Sequence, residues 1–214
     1  AGPLCNFQAS IRPASDAARL AGARRAEVLM FNCGGSGARP GLDGMNTTAF
    51  PSGVMTMPIE ATEHAGPIII WRKELRPDSG GIGRFRGGLG QFMEVGAVDG
   101  HVFDMSAMFD RVKHAPRGRL GGGDGASTEI RLDDGAAMAG KGRQAVPEGR
   151  RVMLSLPGGA GYGPAAERDR ADVLRDLALG YISADAASAV YGITEAEVAA
   201  VEAALRRGEL PSNG

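Results

Sequence analysis

The stretch Leu75-Arg76-Pro77-Asp78-Ser79-Gly80-Gly81-Ile82-Gly83-Arg84-Phe85-Arg86-Gly87-Gly88-Leu89-Gly90 gathers residue types that could hold an oxyanion. Six glycines and three arginines fall within these sixteen residues. Guanidinium forks match planar carboxylate and phosphate groups two hydrogen bonds at a time, and exposed backbone amides of a glycine-rich turn can complete a nest for the same charge. A second reading is internal: Asp78 pairs with Arg76, Arg84 or Arg86, and the glycines let strands cross closely. The residue types admit both, and pairing is the more ordinary use of such a turn. The stretch is not a P-loop, because the Lys-Ser/Thr end of that motif is missing and no helical pattern follows.

Histidine chemistry has few carriers, since the chain holds three histidines. His101-Val102-Phe103-Asp104 has a metal-pair spacing, but on a strand residues three apart face opposite sides of the sheet. His64 lies near Glu60 and Glu63, where a solvated turn before a strand is the plainer reading. His114 sits in a basic loop with Arg111, Lys113, Arg117 and Arg119, whose default is a solvated or acid-paired face. Gly121-Gly122-Gly123-Asp124-Gly125-Ala126 fits a dinucleotide fingerprint on paper, yet a strand pattern follows where that site needs a helix N-terminus. There is no G-x-S-x-G elbow, and Cys33 has no neighbouring histidine. No complete catalytic constellation can be assembled from these residues, and no metal or cofactor site is expected in this chain.

The elements that would position these groups are mostly strands. Glycine makes up 34 of 214 residues, about 16% against an ordinary share of about 7%, without a collagen period. Glycine-rich turns interleave with apolar runs, so the chain reads as folded, turn-dense and β-rich. Strand patterns fall at Glu27 to Asn32, Ile68 to Leu75, Leu89 to Val95, His101 to Phe109, Ser127 to Leu132 and Arg150 to Leu156. Asp99-Gly100 is a hairpin signal that would pair the two strands flanking it. From Glu167 helical patterns take over: Val173, Leu174, Leu177 and Ala178 share a face before Gly180, Ser183 caps a second helix that ends before Gly192, and Thr194-Glu195-Ala196-Glu197 opens a third as a capping box. The fold class is thus α+β, mainly antiparallel β, sandwich- or barrel-like, with a C-terminal tail of two to three helices. Residues 1–26 read as an irregular segment in which the Ala/Arg-rich stretch Ala14 to Arg25 could form a short helix, 27–165 as the β-rich domain, and 166–214 as a helical tail docked on it.

The formal net charge of −1 removes a broad electrostatic reason for nucleic acid or an anionic membrane surface as partner. No apolar run reaches the roughly 20 residues that span a bilayer. Cys5 and Cys33 read as reduced thiols of a cytoplasmic protein. The chain does not begin with Met and reads as a processed product or a fragment.

The order of motifs resembles the C-terminal half of the hydantoinase B/5-oxoprolinase family. The resemblance rests on Gly34-Gly35-Ser36-Gly37-Ala38-Arg39-Pro40-Gly41-Leu42-Asp43-Gly44, Met57-Pro58-Ile59-Glu60, Leu75 to Gly90, Asp110-Arg111, Gly121-Gly122, Gly142-Arg143-Gln144 and Pro157-Gly158-Gly159-Ala160-Gly161-Tyr162-Gly163. Gly180-Tyr181-Ile182-Ser183 and Tyr191-Gly192-Ile193 extend it into the tail. It implies a subunit that works with a hydantoinase A-type ATPase on a small cyclic amide, with ATP and Mg on that partner. It also implies a divalent metal in the N-terminal half of the B-type polypeptide, which these residues do not include. Arg39, Asp43, Glu60, Asp78, Arg84 and Arg86 become the substrate- or interface-lining candidates. The resemblance leaves two alternatives open: a non-catalytic assembly module of that complex, or a subunit of an ATP-dependent ketone carboxylase on the same scaffold.

Overall fold

The structure is a computed structural model that describes residues 4–49, 53 and 57–209. Its strands are β1 (Asn6–Pro13), β2 (Ala26–Met30), β3 (Ile68–Leu75), β4 (Gln91–Ala97), β5 (His101–Met108), β6 (Glu129–Leu132), β7 (Lys141–Val146) and β8 (Arg151–Ser155). They form two four-stranded sheets, ordered β2-β1-β5-β7 and β3-β4-β8-β6, with every pairing antiparallel. Alternation makes the core. Phe7, Ala9 and Ile11 of β1 point in with Phe103, Met105 and Ala107 of β5, and they join Ile68, Met93, Val95, Val152 and Leu154 of the other sheet in one buried cluster. Each such large side chain contributes roughly 1.5–3 kcal/mol by leaving water. The architecture is therefore an open two-sheet packing, as the strand patterns predict.

Two expectations are corrected here. Residues 1–26, expected to be irregular apart from a short helix, carry the strand β1; the helix forms as α1 (Asp16–Leu20) within the expected Ala14 to Arg25. β1 is an interior strand whose period-two pattern is softened by Ala9 and Ser10, so it lacks the apolar run that marks β5 or β8. The Asp99-Gly100 hairpin does not pair β4 with β5, because these strands lie in different sheets. The turn itself forms, with His101 N donating to Val98 O at 3.0 Å and Gly100 at φ +77°. β1 then takes the edge that β4 would have used, in a register that opens with Pro13 opposite His101.

Beyond the sheets, the glycine segments run side by side as a bundle in which successive residues bond to different neighbours. Residues 157–161 lie at its centre: Gly158 N donates to Ala126 O at 3.1 Å, Gly159 N to Gly88 O at 2.8 Å and Gly161 N to Gly123 O at 2.9 Å. In the other direction Pro157 O, Gly159 O and Ala160 O accept from the amides of Gly35, Gly81 and Ala38. A Cβ on Gly159 would stand 1.8 Å from Ser36 O, and one on Gly88 would stand 2.0 Å from Met45 O. Neither residue has left-handed φ, so close approach of backbones is what requires glycine here.

The tail comprises α3 (Arg170–Ala178), α4 (Ala184–Tyr191) and α5 (Glu195–Arg206) around a small core of Val173, Ile182, Ala187 and Ile193. Helix α2 (Ile59–Ala65) lies earlier in the chain, ahead of β3. Ser183 and Thr194 are the N-caps of α4 and α5 as their sequences predict, and Thr194 forms a full capping box with Glu197. Hydrogen bonding to Arg170 first, then to the Thr194 backbone and side chain, pulls the Glu197 carboxyl down to about 2. A folded-state value below the usual carboxylate range means that this contact supports α5 above the ordinary range and is lost as pH falls toward 2. Thr194→Ala is expected to destabilise the chain by about 1 kcal/mol, read by urea denaturation, with faster amide exchange in the first turn of α5.

Candidate functional site

The sequence candidates fall into three groups. Asp43 and Arg86 are internal. Arg86 is buried; its Nε donates to Asp176 Oδ2 at 3.0 Å and a terminal nitrogen donates to Gly87 O at 2.6 Å. Asp43 receives both terminal nitrogens of Arg168, at 2.9 and 2.7 Å, and the backbone N–H of Arg86 at 2.7 Å. Arg168 also donates to Asp176 Oδ2 at 2.7 Å, so Asp43, Arg168, Asp176 and Arg86 form one continuous ionic chain. The Tyr181 ring, 5.1 Å from the Arg86 guanidinium carbon, closes it from the side. Burial pushes the Asp43 carboxyl up, but the Arg168 guanidinium and the Arg86 amide outweigh it, so the carboxyl sits below its ordinary value. Burial opposes the charge on Arg168 as well, and Asp43 and Asp176 more than restore it.

Arg39 and Arg84 are exposed on loops at one end of the bundle. Arg39 opens a tight turn in which its N–H and that of Leu42 donate to each other's carbonyls, both at 3.1 Å. Arg84 makes a loose 3.4 Å contact with Glu167 and lies over the Phe85 ring at 5.5 Å. A hollow of about 400 Å³ beside them is lined by Pro40, Phe85, Leu120, Tyr162 and Pro164 among others. Leu42 and Leu120 are 53% and 73% exposed, a strongly apolar presentation for loop tips.

Asp78 and Glu60 stand apart. Asp78, at φ +58°, accepts the Ser183 N–H at 2.9 Å and donates its own N–H to Tyr181 O at 3.0 Å, which ties the central loop to the start of α4. It does not pair with Arg76, Arg84 or Arg86. Glu60 lies on α2 and lines a groove with Thr47, Lys73 and Gln91. Arg168 and Asp176 are absent from the sequence candidates. The signal that points to them is that Asp176 lies three residues after Val173 on the inward face of α3, where a carboxylate requires a cation.

The basic loop has a more specific geometry than a solvated face. Arg111, His114, Arg117 and Arg119 line one cavity of about 520 Å³ whose far wall is the backbone of Gly35, Gly37, Gly159, Ala160 and Gly161. The two cysteines are free and buried, and burial raises Cys5 to about 11 and raises Cys33 above its ordinary value. Neither is placed to act as a nucleophile. Among the described residues no three His, Cys, Asp or Glu side chains converge to hold a metal ion, and no helix is long and apolar enough to cross a membrane.

A family model described as hydantoinase B/oxoprolinase matches residues 1–165. The B-type chain of a putative D-/L-hydantoinase from Pseudomonas sp. (strain NS671) is 32% identical over 75% of this chain. The beta chain of the caprolactamase of Pseudomonas jessenii is 30% identical over 78% of it. The chain spans 28% and 30% of those two proteins. Among solved structures, the ATP-dependent caprolactamase of Pseudomonas jessenii superposes with a TM-score of 0.70 at 26% identity, over 93% of this chain and 37% of that one. A nucleotide-free acetone carboxylase shares the fold, with a TM-score of 0.63 at 19% identity over 95% of this chain and 33% of that one.

Proposed function

The chain belongs to the hydantoinase B/oxoprolinase family, and on that footing we propose that it forms the β-rich part of a B-type subunit in an ATP-dependent enzyme that opens cyclic amides. The observation that carries this reading is the family match across both sheets and the glycine bundle, joined to relatives named for hydantoins and caprolactam. A ring amide resists water because resonance makes its carbonyl carbon a poor electrophile. Phosphoryl transfer from ATP to the amide oxygen, on a hydantoinase A-type partner that holds ATP and Mg, would remove that resonance. Among the described residues no three His, Cys, Asp or Glu side chains come together to hold a metal ion, and the divalent metal that the family implies would be held by the remainder of the B-type polypeptide.

What this chain contributes is position. The Asp43–Arg168–Asp176–Arg86 chain and the Asp78 cap lock the helical tail to the glycine bundle. The exposed tips with Arg39, Leu42, Arg84 and Leu120 are then held for contact with the partner or with the rest of the B-type polypeptide. The assembly-module reading is favoured by one observation: Asp43 and Arg86 are satisfied internally, and the described residues supply no catalytic set.

Reconstitution separates these readings. With an A-type partner and a full-length B-type scaffold carrying this sequence, lactam- or hydantoin-dependent ATP hydrolysis is expected, with turnover lost when the sequence is deleted. On the reading in which Arg84 lines the substrate channel, Arg84→Ala lowers turnover at saturating partner. Unchanged turnover with weakened co-purification would leave this region an assembly module, and ATP hydrolysis that requires bicarbonate would point to ketone carboxylation instead.

A further inference from the structure

We propose that the cavity between the 111–119 loop and the glycine bundle is an oxyanion site that takes the phosphoryl group of a small molecule. Arg111, His114, Arg117 and Arg119 all line it, and no carboxylate does. Many surface arginines elsewhere are paired, as Arg84, Arg151 and Arg170 are with Glu167, Glu94 and Glu197; Arg24, Arg25 and Arg39 are exposed without an ion pair among the described residues, but none of them lines this cavity. Among the described residues the side chains of Arg111, Arg117 and Arg119 form no ion pair. The opposite wall adds donors of another kind. Gly37 and Ala160 both line the cavity, and neither backbone N–H donates to a described acceptor, although Gly35, Ala38 and Gly161 beside them do. Three arginines and two residues with unmatched amides lining one concave space are the elements of an oxyanion nest.

The backbone that carries the cations is held before any ligand arrives. The loop is pinned at several points: Gly118 N donates to Asp124 Oδ1 at 2.8 Å, Gly125 N to Pro116 O at 2.9 Å and Arg119 N to Gly161 O at 3.1 Å. Arg111 and Leu120 hold left-handed φ of +61° and +50° at its two ends. A volume of about 520 Å³ lies within the range of roughly 300–1,000 Å³ for small-molecule pockets, and concavity favours such a ligand over the flat acidic surface of a protein. Several clustered positive charges match a phosphoryl dianion better than a single carboxylate. Oxyanion binding stands on this geometry alone. The source of the anion rests on the proposed function, because ATP-driven opening of a ring amide yields both phosphate and an amino acid carboxylate.

The test is calorimetric titration of the 214-residue chain with inorganic phosphate at constant ionic strength, beside a parallel titration with 6-aminohexanoate, the carboxylate that opening of caprolactam yields. Saturable phosphate binding at one site is expected. Arg117→Gln with Arg119→Gln should weaken it at least tenfold while leaving the circular dichroism and the phosphate-free Tm unchanged. Lys113→Gln removes the same kind of charge from the same loop but outside this cavity, and should change affinity less than twofold. Absence of saturable binding, or an equal loss in Lys113→Gln, overturns the site in favour of a diffuse positive field. Tighter binding of 6-aminohexanoate overturns the phosphoryl assignment, and saturable binding of polyglutamate without any of phosphate overturns the small-molecule one. Phosphate binding that survives while the reconstituted enzyme hydrolyses no cyclic amide counts against the proposed function and not against this site.

Discussion

Gly159→Ala is expected to destabilise the chain by at least about 3 kcal/mol, or to leave it unable to fold, through one added methyl group. The Cβ would stand 1.8 Å from Ser36 O and 2.2 Å from Ser36 C, while the residue's own N–H and carbonyl bond to Gly88 O and Gly81 N, both at 2.8 Å. Nothing in that contact is the far end of a flexible side chain. Relief would need two hydrogen-bonded backbones to separate. Two other glycines isolate the cause. Gly149→Ala, at φ +73° with open space around the Cβ, should lose only about 1–2 kcal/mol from the left-handed backbone. Gly37→Ala, in the same bundle but 3.8 Å from its nearest contact, should lie within about 1 kcal/mol of the parent. Urea denaturation with an unchanged m-value ranks the three. A Gly159 variant as stable as the Gly37 variant would refute the close-packed bundle.

How much of this is legible in the sequence follows from how local each cause is. The helical tail is readable because caps act within one turn: Ser183, Thr194 and Glu197 bond to backbone within three residues. Most strands are readable from their apolar runs. β7 escapes sequence reading because Lys141, Gly142 and Arg143 are all exposed on an edge strand, with Gly142 at φ +94°, and Val146 at its end is its one buried residue, too few to impose alternation. The partner of β5 is misread from sequence because strand pairing is set by long-range packing, and a good turn signal says only that the chain reverses. In the site, the glycines of the central stretch point correctly to close approach, but the partners of its charges lie far along the chain: Asp176 is 90 residues from Arg86, and Arg168 is 125 from Asp43. No local pattern encodes those separations. The basic loop is visible as charge, whereas its concavity comes from glycine backbone contributed by residues 35–37 and 159–161.

Asp176→Ala is expected to remove about 3–5 kcal/mol, because it leaves the buried Arg86 guanidinium without a carboxylate and takes one of two from Arg168. Asp176 Oδ2 accepts from both Arg86 Nε and Arg168, and the three side chains are between 1% and 7% exposed. Removing the carboxylate leaves Asp43 as the remaining anion of the chain, and Asp43 already carries both terminal nitrogens of Arg168. The loss should be regional: amide exchange in α3 to α5 should accelerate before that in the two sheets, since this ionic chain, beside the Asp78 bonds to Ser183 and Tyr181, joins the tail to the bundle. Glu167→Ala supplies the comparison, because its 3.4 Å contact with Arg84 joins two side chains more than half exposed, and its loss should stay below about 0.5 kcal/mol. Acid should reproduce part of the effect. The Asp43 carboxyl is held below its ordinary value of 3.8, so its contribution is intact above that value and disappears as pH falls through the lower folded-state value. Urea midpoints measured from pH 7 downward should therefore hold near neutrality and drop below about pH 4, more steeply in the parent than in Asp43→Asn. An equal slope in both would show that the carboxylate bears no charge-dependent share of the link between tail and bundle.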